Sequence, residues 1–188
     1  MARPPHLFIN DSIYFITCRT RNGIRFFNSD NKKDLIKKSI GRACGKYDYK
    51  IFTWVILDNH YHLLIKISNA VKLPNFIRYI NSRSSVSLSR MESRGFVRDD
   101  DSKKTAAGKA AASGGYSCVW QNYWDRCIRN EKDFWTHFNY IHQNPVKHAY
   151  TKSMADYKFS SYSYYLKTQG QEWLDSAFIN YSIINFHA

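Results

Sequence analysis

The chain has 188 residues, a hydrophobic fraction of 44%, and 28 Lys and Arg against 15 Asp and Glu, for a net charge of +13. Such a length can bury a core and makes one domain over residues 1–188 the expectation. The charge favours a polyanionic partner, nucleic acid above all, because 16% of the residues are aromatics able to stack on bases. No apolar run approaches the ~20 residues of a membrane span, and the N-terminal Met-Ala-Arg-Pro-Pro-His lacks the apolar stretch of a secretory signal. Cys18, Cys44, Cys118 and Cys127 form no C-x-x-C pair. They disfavour a zinc knuckle and fit reduced thiols in a cytoplasmic protein.

The run Ile13 to Thr20 is β-branched and aromatic and predicts a first strand, broken by Arg21-Asn22-Gly23. Asn28-Ser29-Asp30 offers N-cap residues for a helix to about Tyr47, with Gly45 near its end. Leu35, Ile36, Ile40 and Ala43 form its apolar stripe, and Lys32, Lys33, Lys37 and Lys38 its wet face. Residues 49–57 and 60–67 predict two strands joined through Asp58-Asn59 as a hairpin. Pro74 opens a second helix to about Arg90, with Phe76, Ile77, Ile80 and Val86 at helical spacing.

Residues 95–115 are polar, small and glycine-containing, and predict a mobile loop. A fourth strand is expected in 116–120 and 123–128, with the Trp120 to Trp124 cluster as core. Asn130 then caps a helix from about Glu131 to Gln143, which Pro145 limits. An extension starts near 156, with a short helix near 172–178. The order predicts an α+β sandwich, one antiparallel sheet with helices on one face.

Two short pieces carry the chemistry. His60 and His62 alternate on a strand, so both imidazoles face one side and can grip a single ion. Tyr140 and Asn144 lie one helical turn apart on one face. Imidazole plus amide oxygen with open positions suits Mg²⁺ or Mn²⁺ in phosphoryl transfer, with a tyrosine as nucleophile. His137 shares the helical face and is expected to be an ordinary surface histidine. Arg19, Arg21 and Arg25 near the first turn, and Arg78, Arg83 and Arg90 along the second helix, are candidates for phosphate contact. Asp125 and Arg126 are expected to pair on their strand.

Four blocks in order resemble the REP-associated tyrosine transposases of the HUH single-tyrosine superfamily, IS200-like. They are Trp54 to Ile65, Trp120 to Asn130, Tyr140 to Ala149 and Asp156 to Tyr162. The resemblance implies a ferredoxin-like, HUH-type sandwich. It implies His60, His62 and Asn144 as ligands of Mg²⁺ or Mn²⁺ and Tyr140 as the nucleophile. It further implies cleavage of single-stranded DNA beside hairpins through a 5′-phosphotyrosine, by a monomer or homodimer. The chain departs from the family at Asp58, where proline is frequent, and at Ala149, where glycine is frequent. The competing expectation is a domesticated, non-catalytic regulator that binds single-stranded or hairpin DNA.

Overall fold

Strand β1, Ser12–Arg19, carries the consecutive buried residues Tyr14, Phe15 and Ile16 and then Cys18, so both its faces are covered, and it sits inside the sheet. The computed structural model describes residues 8–95 and 119–181. Helix α1 spans Asp30–Tyr47, β2 Lys50–Ile56, β3 His60–Ile67 and α2 Leu73–Gly95. Strand β4 is Trp124–Cys127, helix α3 Glu131–Lys147, α4 Tyr162–Gln169 and α5 Gln171–Asn180. The strands form one antiparallel sheet in the order β2-β3-β1-β4, so the expected α+β class holds. β1 and β3 pair from Ser12↔Ile67 to Arg19↔His60.

Helices cover both faces of that sheet, not one. Neighbouring residues of β3 show it: the Tyr61 hydroxyl donates to Asn81 of α2, while the ring of His62 lies 5.4 Å from Tyr140 of α3. Side chains alternate along a strand, so α2 and α3 must lie on opposite sides. Sequence order alone does not say to which face a helix returns. The Tyr61 side holds α1 and α2 against Cys18, Leu63 and Ile65, and the His62 side holds α3 against Phe15 and Leu64.

Local chemistry sets the element ends, in places against expectation. Ser29 caps α1 by accepting from the Lys32 N–H. The helix runs through Gly45 and closes at Asp48, which adopts a left-handed φ of 55°. Ile36, Ile40 and Ala43 are buried as expected, but so is Lys33, which was expected wet. Its ammonium lies 2.7 Å from the Asp58 carboxylate. Helix α2 extends past Arg90, and its inner face uses Ser84 and Leu88 while Val86 is 49% exposed.

The fourth strand is shorter than expected. Trp120 makes an isolated bridge to Thr20 and stacks on Phe27, whereas Trp124 stands 42% exposed. Residues 116–118, and 96–115 of the expected loop, lie outside the described residues. Pro145 does not stop α3, which continues to Lys147. The proline sits in the last turn, where it removes the bond to the Ile141 carbonyl but leaves only two further helical residues to be disturbed. Beyond it Ala149, at φ 56°, turns the chain back.

The tail holds α4, which was not foreseen, and α5, which was. Before them residues 159–161 run along β2: Ile56 N–H donates to Phe159 and Ser161 N–H to Trp54. No described helix is long and apolar enough to cross a membrane.

Candidate active site

The first wall of the site is β3. Thr17 of β1 stands opposite His62 in the register, and Arg19 opposite His60, so these four side chains share one face. Helix α3 is the second wall. Asn130 caps it by accepting from the Asp133 N–H at 2.8 Å, and Asp133 accepts from the Arg129 N–H in return. This fixed start, with Phe138 and Ile141 buried, leaves Tyr140 and Asn144 facing the histidines.

Each imidazole is held by its Nδ1. His60 Nδ1 lies 2.7 Å from the Asn59 side-chain oxygen, and the Asn59 amide nitrogen donates to the Gly23 carbonyl at 3.0 Å. The amide orientation is therefore fixed, and Nδ1 of His60 must carry the proton. Its Nε2 is then a lone pair, 3.2 Å from the side-chain oxygen of Asn144. Two acceptors face each other with no hydrogen between them. His62 is likewise held at Nδ1, 2.8 Å from the Thr17 hydroxyl, which can donate or accept, and its buried Nε2 has no hydrogen-bond partner. The ring centroids of His60 and His62 are 4.9 Å apart.

Burial pushes His60 down to about 4, and the nearby Asn144 oxygen, which favours the charged ring, opposes this only in part. His62 is pushed well below the ordinary imidazole range, by burial first and then by neighbouring positive groups including Arg19. Both rings are therefore neutral near pH 7, the state a metal requires. The fixed tautomer of His60, with the unpartnered Nε2 of His62 and the Asn144 oxygen beside it, fits a divalent cation. Among the described residues no three His, Cys, Asp or Glu side chains converge on a metal position; the set here is two imidazoles and an amide.

Tyr140 is 6% exposed, edge-on to Phe15 and His62. Burial raises its pKa, while the hydrogen bond to Asn144 and the charge of Arg19 pull it back. The Lys147 ammonium lies 5.4 Å from its ring centroid.

Residues 9–97, from the lead into β1 to just past the end of α2, match the family described as "Transposase IS200 like". The chain is 27% identical over 157 residues to a Haemophilus influenzae protein assigned as a REP-associated tyrosine transposase, covering 82% of each. It is 43% identical over 49 residues to the REP-associated tyrosine transposase of Escherichia coli K12, covering 26% of this chain and 30% of that one. Its fold matches a solved REP-associated tyrosine transposase bound to a REP hairpin, at a TM-score of 0.71 and 20% identity. That match covers 91% of this chain and 88% of that one.

The arginines expected to contact DNA divide into groups. Arg19 is at the lip of the site, and Arg21 follows it in the next turn. Arg25 is engaged by the Tyr150 hydroxyl at 3.3 Å and by Asp58 at 3.6 Å. Arg78 and Arg83 lie on α2, behind the sheet, with Arg83 stacked on Tyr79. Two other expectations are corrected. His137 is buried, its Nδ1 donating to the Asp133 carbonyl at 2.7 Å, and Arg126 pairs with Asp133.

Sequence reasoning missed Thr17, Asn59, Lys147 and His148, whose ring is 5.3 Å from that of His60. Asn59 adjoins the histidine motif, and strand register locates Thr17. Nothing local marks the other two.

Proposed function

We propose that this chain cuts and rejoins single-stranded DNA beside hairpins, using Tyr140 as nucleophile and His60, His62 and Asn144 to hold Mg²⁺ or Mn²⁺. The observation that carries the reading is the meeting of His60 Nε2 with the Asn144 side-chain oxygen at 3.2 Å, with the unpartnered Nε2 of His62 and a tyrosine beside them. A bound ion there supplies Lewis acidity, polarising the scissile phosphate and easing departure of the 3′-oxygen. The phenol oxygen attacks phosphorus in line. The Tyr–O–P bond forms, the P–O3′ bond breaks, the phenol releases its proton, and the 3′-oxygen leaves as a hydroxyl after gaining one. A phosphodiester is exchanged for a phosphodiester, so an incoming 3′-hydroxyl can reverse the step without ATP.

Asn144 aligns Tyr140 through its hydrogen bond, and Arg19 favours the ionised phenol and an approaching phosphate. Phe15, packed against His62 and Tyr140, shields the nucleophile from water. Hairpin DNA is the substrate class that the solved relative's bound REP hairpin suggests.

The test incubates labelled single-stranded hairpins from the flanking genome with Mn²⁺ or Mg²⁺, wild type beside Tyr140→Phe. A covalent adduct in wild type alone is expected. Hairpin binding with no adduct in either metal would replace this reading by that of a non-catalytic binding regulator.

A further inference from the structure

A cleft of about 610 Å³ opens beside Tyr140, lined also by Gln143, Lys147, Lys152, Ser153 and Met154. Its construction follows from the helix and the turn after it. Tyr140, Gln143 and Lys147 are spaced i, i+3, i+7 and so share one face of α3. Ala149 then reverses the chain and brings Lys152 to Met154 back against that face. The wall next to Tyr140 is apolar, from Met154 and the aromatic ring. Gln143 and Ser153 supply hydrogen-bonding groups, and the two lysines add positive charge.

The volume is that of a small-ligand site with a few placed polar groups. An apolar slot with amide and hydroxyl groups suits a nucleobase, and the ammoniums suit the phosphates on either side of it. The transesterification identifies which nucleotide lies nearest. When the P–O3′ bond breaks, the upstream strand departs and the downstream strand stays joined to Tyr140 through its 5′-phosphate. The first downstream base is thus tethered next to the cleft.

Resting on the tyrosine reading above, we propose that this cleft binds the first unpaired nucleotide 3′ of the cut. It takes the base between Tyr140 and Met154 and the following phosphate on Lys147 and Lys152. The subsite selects the cut position and keeps the tethered strand in line for rejoining.

The experiment maps the cut on whichever strand gives the adduct, then replaces the first downstream nucleotide by an abasic one. Wild type is expected to lose roughly tenfold in adduct formation at subsaturating strand, the scale of one stacked base. In Met154→Ala the natural and abasic strands should become nearly equal, whereas Met154→Leu, which preserves the wall, should keep the difference. Lys152→Gln should weaken both strands alike and lower the salt slope by about 0.7. Equal adduct formation from natural and abasic strands in wild type would overturn the subsite and leave Tyr140 chemistry standing. No adduct from any strand would overturn both.

Discussion

Asn59 decides which nitrogen His60 presents, and Thr17 holds His62 by its Nδ1. Thr17→Val keeps the shape and removes the partner of His62 Nδ1. It is expected to weaken Mn²⁺ binding by roughly 10–100-fold, as loss of a ligand's outer partner does. Hairpin affinity without metal should not change. Manganese titration by electron paramagnetic resonance checks this, and unchanged Mn²⁺ affinity would remove Thr17 from the site. Lys33 and Asp58 hold the turn that carries Asn59, with side chains only 8% and 11% exposed. Lys33→Ala leaves the buried carboxylate only the longer contact to Arg25 and should cost up to about 3 kcal/mol. Adding Asp58→Ala should recover much of that, read from urea midpoints. The histidine pair was legible because strand alternation puts both rings on one face. The buried lysine was not, since its partner is 25 positions away and a helix with four nearby lysines reads as solvated.

Helix α3 shows why element ends were harder to read than element types. Its start was legible in Asn130. Its end was not, because Pro145 reads as a stop and because Ala149 does the turning a glycine would do more easily. Left-handed backbone strains an alanine, so Ala149→Gly should stabilise the fold by about 0.5–1 kcal/mol. A lower denaturation midpoint would contradict it. Inside the same helix His142 is fully buried, with Nε2 2.8 Å from the hydroxyls of both Thr53 and Ser161. Burial pushes it down to about 3. Between pH ~6.5, where the unfolded ring titrates, and about 3, the unfolded chain holds a proton that the native chain lacks. Stability therefore falls as pH falls through that window, and this contribution levels off below it. Unfolding free energy should already decline from pH 7 to pH 5, before carboxylates titrate; a flat profile there would refute the assignment.

Across the whole molecule, a net charge of +13 makes ionic strength the lever on substrate binding. Log affinity for a single strand should fall linearly with log salt, by about 0.7 per neutralised phosphate. A slope near zero would mean that Arg19, Lys147 and Lys152 do not meet DNA. The α+β class was legible from the alternation of strand and helix signals. The division of helices between two faces was not, because that depends on the direction each connection takes over the sheet. The tail was least legible: its serines and tyrosines look like loop, but Ser161 and Tyr157 bond back to Trp54 and Ile56.

That bonding has a consequence for solubility. β2 is an outer strand, and an outer strand left open is a template on which another copy can add itself. Residues 159–161 occupy the template with the chain's own backbone. A chain ending before Tyr157 would present the peptide groups of Trp54 and Ile56 to its neighbours. Such a truncation should self-associate with rising concentration, visible by light scattering, so the terminal segment guards against aggregation as well as completing the fold.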